Sequence, residues 1–165
     1  MIPRYSRPEI SAVWTDENKY RTWLQVELAV LQARAEAGDI PRQAFEEISQ
    51  KADFTVERIE KLEAELHHDV IAFISTVGEY IGGNSRYFHQ GMTSSDVLDT
   101  ALALQLKQSS DILEQGLEAL SQVLAAQARK YKTAVMAGRT HGVHAEPITF
   151  GLKLASFYAE LQRGR

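Results

Sequence analysis

Residues 95–131, SDVLDTALALQLKQSSDILEQGLEALSQVLAAQARKY, set Leu98, Leu102, Leu106, Leu113, Leu117, Leu120 and Leu124 mostly three, four or seven residues apart. Ile112 and Val123 lie beside them. That is the spacing of one helix face, with no strand-like alternation. The pattern predicts a helix of roughly 35 residues and ~50 Å, several times the usual globular length. Gly116 inside it costs about 1 kcal/mol relative to alanine, so packing has to outweigh propensity there. A helix this long needs neighbours along its whole length. Residues 1–94 are too few to cover it, and only a short helix, from about Thr149 to Leu161, follows. Cover from another subunit, or from chain beyond residue 165, is therefore expected.

Working outward, the rest also reads as helix. Residues 1–14 form an expected extended leader, with Pro3 and Pro8 opposing early helix. Thr15-Asp16-Glu17 opens a helix whose apolar positions Trp23, Leu24, Leu28 and Leu31 recur at helical spacing, and Gly38 closes it. Pro41 starts a short helix through Phe45 and Ile48, and another begins near Thr55 with Val56, Ile59 and Leu62 on one face. A further helix after Asp69 ends at Gly82-Gly83. The fold class is all-α, with an amino-terminal helical domain over 1–94 and the beginning of a helical bundle over 95–165.

Composition narrows the functional classes. The 165 residues carry a net charge of −4, which argues against general nucleic-acid binding. With no cysteine, disulfides, thiolate nucleophiles and cysteine-based zinc sites are excluded. Met1-Ile2-Pro3-Arg4-Tyr5-Ser6-Arg7-Pro8 lacks the apolar core of a secretory signal, and no run approaches the ~20 apolar residues of a membrane span. A soluble cytoplasmic protein, with no membrane partner, is the default expectation.

Three polar segments interrupt the helical pattern. Gly138-Arg139-Thr140-His141-Gly142-Val143-His144-Ala145-Glu146-Pro147 concentrates two histidines, a guanidinium, a hydroxyl and a carboxylate where continuous helix is impossible. Titratable groups on an irregular segment between helices suggest a site presented by a scaffold. Gln90-Gly91-Met92-Thr93-Ser94-Ser95-Asp96 stands before the long helix, where Ser94 or Ser95 can act as N-cap and the dipole favours an anion. Leu66-His67-His68-Asp69-Val70 lies at another helix boundary, with Asp69 as the expected cap. Adjacent histidines point in different directions, so one can be structural while the other faces a site.

Taken together, Arg4-Tyr5, His67-His68-Asp69, Thr93-Ser94-Ser95-Asp96-Val97-Leu98-Asp99-Thr100 and the segment from Gly138 to Pro147 resemble the adenylosuccinate lyases, a branch of the fumarase/aspartase superfamily. The resemblance runs in order from Arg4 to Gly151-Leu152-Lys153. It implies the superfamily's long-helix bundle and elimination of fumarate from adenylosuccinate, or from succinylated aminoimidazole carboxamide ribotide, in purine nucleotide biosynthesis.

On the same resemblance His141 is the general acid and His68 assists at the substrate, with His67 and Asp69 on the same binding wall. Thr93 and Ser94 hold a succinyl carboxylate, while Arg4 and Tyr5 grip the nucleotide phosphate. No metal or organic cofactor is implied, because acid, base and oriented donors suffice. The implied assembly is a homotetramer whose active sites are shared between subunits.

The family's general base is a serine on a mobile glycine- and serine-rich loop far downstream of the Arg-Thr-His segment, and no such loop occurs before Arg165. The chain is therefore expected to be the amino-terminal part of a larger enzyme, inactive alone. Two other classes stay open. His141 and His144 could bind a transition metal with His67, His68 or Asp69. Alternatively, the leucine-rich helix could be an oligomerisation segment alone, which leaves the polar clusters unexplained.

Overall fold

The computed structural model describes residues 2–165, and of Pro3 the backbone only. Seven α-helices follow in order: α1 (Pro8–Val13), α2 (Asp16–Ala37), α3 (Arg42–Lys51), α4 (Val56–Leu66), α5 (Asp69–Ile81), α6 (Ser94–Lys130) and α7 (Phe150–Gly164). Strands β1 (Val135–Thr140) and β2 (Val143–Thr149) separate α6 from α7, and 3-10 turns occupy Pro3–Tyr5 and Gly82–Tyr87. The leucine spacing is realised as one helix of 37 residues. Among the described residues no helix is long and apolar enough to cross a membrane.

Local chemistry explains most boundaries. Thr15 and Thr55 cap α2 and α4 by accepting from the N–H of Asn18 and Arg58. Gly38, at φ 82°, ends α2 in the left-handed conformation that glycine adopts without strain. The leader departs from the extended expectation, because Tyr5 bonds back to Ile2 in a 3-10 turn and α1 starts at Pro8. A proline at the first helical position loses no bond, since that N–H has no partner inside the helix.

The chain groups into two compact units, up to Ser109 and from Ser110 onward, and α6 contributes to both. The first unit is built on an aromatic core. Phe73 of α5 is fully buried, stacked on Tyr20 at 6.0 Å between ring centroids and tilted at 87° to Trp23 at 5.4 Å. Phe54 and Phe88 each lie 6.2 Å from it, and Leu31, Ile48, Ile59, Val70 and Val77 complete the cluster. The start of α6 is tied into this core by Val97 and Ala101, both fully buried. Gln105 adds a hydrogen bond from Nε2 to the Val13 carbonyl at 2.8 Å, and Gln108 accepts from Asn18 at 3.0 Å.

The second unit contains the remainder of α6, a β-hairpin and α7. Gln162 of α7 donates to Ser121 of α6 at 2.6 Å. Where α7 begins, a Cβ on Gly151 would lie 2.5 Å from the Ala128 carbonyl oxygen, so only glycine permits this approach. The hairpin corrects the expectation of a purely irregular segment. Val135 pairs with Thr149 and Met136 with Ile148, the register slips between Ala137 and Arg139, and Thr140 then faces Val143. Pro147, the slip and largely exposed strands hide any regular alternation. Among the described residues the fold is helical with this one small sheet.

Along α6, Leu102 and Leu106 of the first unit are 45% and 51% exposed, and Leu113 and Leu120 of the second are 60% and 49% exposed. The leucine face that specifies the helix is thus only partly used by these residues.

Candidate functional site

The histidine pair lies at the junction of α4 and α5. His67 ends α4 with φ 52°, its N–H bonded to the Glu63 carbonyl at 2.8 Å. His68 then reverts to extended backbone and caps α5, its Nδ1 accepting from the Ile71 N–H at 3.3 Å. The cap is therefore His68, not Asp69 as the sequence reading expected. Asp69 is the first residue of α5, and its Oδ1 accepts from the Val70 N–H at 2.7 Å. The physical reason is that the left-handed turn at His67 places His68, and not Asp69, in the extended conformation a cap requires. An imidazole accepting at Nδ1 carries its neutral-form proton on Nε2. The His68 side chain is 48% exposed and lies 3.6 Å from the Asp69 carboxylate.

At the start of α6 the helix includes Ser94, which places Thr93, rather than Ser94 or Ser95, immediately before it. Asp96 Oδ2 accepts from the Thr93 N–H at 2.8 Å, the returning half of a capping box. Thr93 is exposed and Ser94 half-buried. Their hydroxyls and the first-turn amides form a polar rim at the positive end of the helix.

Sequence reasoning missed two contacts to the segment just before this rim. Nδ1 of His89 lies 2.6 Å from Oε1 of Glu27, a fully buried carboxyl on α2 whose Oε2 has no hydrogen-bond partner among the described residues. Two turns further along α2, Arg34 donates to the backbone oxygen of Gln90 at 2.9 Å and to its side-chain oxygen at 3.2 Å. A signal was present: Glu27 interrupts the apolar face of Trp23, Leu24 and Leu31, where a solvated carboxylate has no place.

Burial holds the Glu27 carboxyl above its ordinary 4.5, while His89 pulls it the other way. A carboxyl with a raised folded-state value binds its proton more tightly in the native than in the unfolded state. Its contribution to stability is then fully present below 4.5 and is lost as pH rises through the folded value. Denaturation midpoints of the Glu27→Gln protein, compared with the parent from pH 4 to 8, are expected to gain on the parent as pH rises. A difference between the two curves that does not change with pH would refute this direction.

The other predicted residues lie elsewhere. Arg4 places its guanidinium carbon 4.8 Å from the centre of the Tyr5 ring, and both side chains are exposed. His141 belongs to the second unit, at the hairpin turn, with φ 49° followed by Gly142 at 76°. Positive φ at both central residues is what a type I′ turn demands. A Cβ on Gly138 would lie 2.5 Å from the Glu146 carbonyl oxygen, so the strands that present His141 approach closely only because of that glycine. His144 follows in β2 opposite Arg139. Among the described residues three other than glycine have positive φ, and all are histidines: His67, His89 and His141. Such backbone persists where its surroundings over-determine it, and it clusters at functional sites.

Within the first unit no hydrogen bond or ion pair among the described residues joins the Arg4–Tyr5 turn, the His67–Asp69 junction and the Thr93–Ser94 rim. Nor, among the described residues, do three histidine or acidic side chains converge to hold a metal ion.

A long central helix, short helices packed over its first turns and a hairpin before the next helix make up the helical fold of the fumarase/aspartase type. The chain superposes on a fumarate lyase from Mesorhizobium sp. BNC1 with a TM-score of 0.90 at 26% identity, over 96% of this chain and 38% of that one. It matches the 3-carboxy-cis,cis-muconate lactonizing enzyme from Pseudomonas putida equally well, with a TM-score of 0.90 at 31% identity over the same shares of 96% and 38%. Residues 4–165 match the sequence profile of the Lyase family, and the chain belongs to that family.

Among curated relatives, adenylosuccinate lyase from Synechocystis sp. (strain ATCC 27184 / PCC 6803 / Kazusa) is 54% identical over 100% of this chain. The adenylosuccinate lyase of Streptococcus mutans serotype c (strain ATCC 700610 / UA159) is 47% identical over 99%. The chain spans 38% of the length of both relatives.

Proposed function

We propose that these residues belong to a lyase that eliminates fumarate from adenylosuccinate to leave AMP, and likewise cleaves succinylated aminoimidazole carboxamide ribotide. One observation carries the reading: 54% identity, without loss of coverage, to an adenylosuccinate lyase. Every polar cluster described above falls inside that match.

The chemistry suits the residues. A base takes the weakly acidic proton from the carbon beside a succinyl carboxylate, the C–N electron pair passes to the purine nitrogen, and an acid protonates it as the C=C bond of fumarate forms. Histidine, ordinarily near pKa 6.5, can supply that proton at physiological pH. His141, exposed at the tip of its turn, is the proposed acid. His68 donates a hydrogen bond from Nε2 to the substrate, with His67 and Asp69 beside it. Thr93 and Ser94 hold the succinyl carboxylate that gains charge as the proton leaves. Arg4 and Tyr5 bind the phosphate, which suits an always-charged forked donor next to a hydroxyl. The base belongs, on this reading, to a part of the protein outside these residues. The protein works in the cytoplasm as a homotetramer with active sites shared between subunits.

The complete gene product, incubated with adenylosuccinate, should release fumarate and AMP in equal amounts, which absorbance and chromatography will detect. Arg4→Ala should mainly raise KM, since the phosphate is held alike in the ground and transition states. Absence of cleavage by a folded protein, with activity instead on another succinyl adduct or on fumarate itself, would overturn the substrate assignment.

A further inference from the structure

We infer that Glu27 and Arg34 of α2 are positioning residues for the carboxylate-binding rim of α6, holding residues 89–90 so that Thr93 and Ser94 meet the substrate in fixed register. The inference rests on the function proposed above. The two side chains stand seven residues apart, two turns along one face of α2. Glu27 grips His89 by its ring, at 2.6 Å. Arg34 grips Gln90 twice, at 2.9 Å through the backbone and 3.2 Å through the side chain.

Between these anchors and the rim the chain has little freedom. His89 and Gly91 both take positive φ, 60° and 81°, which turns the backbone sharply on either side of Gln90. Met92 bonds back to the His89 carbonyl at 3.3 Å, and the Thr93 N–H is held by Asp96. The orientation given to residues 89–90 is thereby passed to Thr93. Packing alone does not call for this arrangement. Glu27 is fully buried with one oxygen unpartnered, and an apolar side chain of similar volume would fill the site without that desolvation cost. A geometric task accounts for a carboxyl at this position.

The test uses the complete gene product carrying Arg34→Met, Arg34→Lys or Glu27→Gln. Arg34→Met keeps the apolar stem but removes both donors. It should weaken competitive inhibition by fumarate and raise KM for adenylosuccinate by about 10- to 100-fold, the scale of a misplaced binding group. Inhibition by AMP, which lacks the succinyl carboxylates, should stay within about twofold of the parent. Arg34→Lys, which retains charge and a donor, should recover part of the fumarate affinity, and Glu27→Gln should show a smaller loss of the same kind. If Arg34→Met does not assemble, Arg34→Lys is read against the same two inhibitors.

Unchanged fumarate inhibition in a folded variant overturns the inference, and so does equal weakening toward fumarate and AMP, which marks a merely structural role. A parent protein that binds neither ligand and cleaves no adenylosuccinate overturns the proposed function and this inference with it.

Discussion

Replacing His141 by glutamine in the full-length protein is expected to lower kcat about 10²–10⁴-fold, the usual loss when a positioned general acid is removed. KM should change far less, because the proposed acid would act on the nitrogen only as the C–N bond breaks. The fold adds a control. His141 has φ 49°, a conformation that glutamine tolerates less well than asparagine does. His141→Asn preserves the turn while removing the proposed acid, so both variants should lose kcat together. A glutamine variant that is inactive beside an active asparagine variant would mean that turn strain, not proton transfer, caused the loss. Arg4→Ala provides the contrast of raised KM with kcat nearly retained, whereas misfolding would damage both constants in either variant. Near-normal turnover in a folded His141→Gln protein would move the proposed acid role elsewhere, with His68 the first candidate.

Phe73→Ala is expected to destabilise the first unit by about 3–5 kcal/mol, the range for removing a fully buried aromatic ring. Phe73 lies at the centre of four other rings, from Tyr20, Trp23, Phe54 and Phe88. Deleting it leaves a cavity whose walls come from α2, the α3–α4 connection, α5 and the chain before α6, so no single element can collapse into it. Urea denaturation of parent and variant would measure the loss. A change below about 1 kcal/mol would show that the cluster repacks around the gap and is not the keystone of the unit.

Much of this organisation can be read without coordinates, and the reasons are local. The leucines from Leu98 to Leu124 specify one helix because its period is set by backbone hydrogen bonding, whatever covers the face. Thr15, Thr55 and Gly38 mark helix ends because their capping chemistry acts within a single turn. The hairpin was less legible: Gly138 and Pro147 exclude helix, but a ladder that slips register at Ala137/Arg139 has no alternation to detect. Assignment of the α5 cap to Asp69 failed because it turned on the backbone conformation of His67, which residue type does not dictate.

The helical class, the long helix, most helix ends and the three polar segments follow from residue order, because each depends on periodicity or on chemistry between residues a few positions apart. Only in three dimensions do Glu27 and His89 meet in a buried contact and Arg34 and Gln90 come together, pairings separated by 62 and 56 residues along the chain. The same holds for which leucines of α6 remain exposed. Such contacts arise from how apolar faces crowd together in three dimensions, and no local pattern specifies which distant residues will meet there.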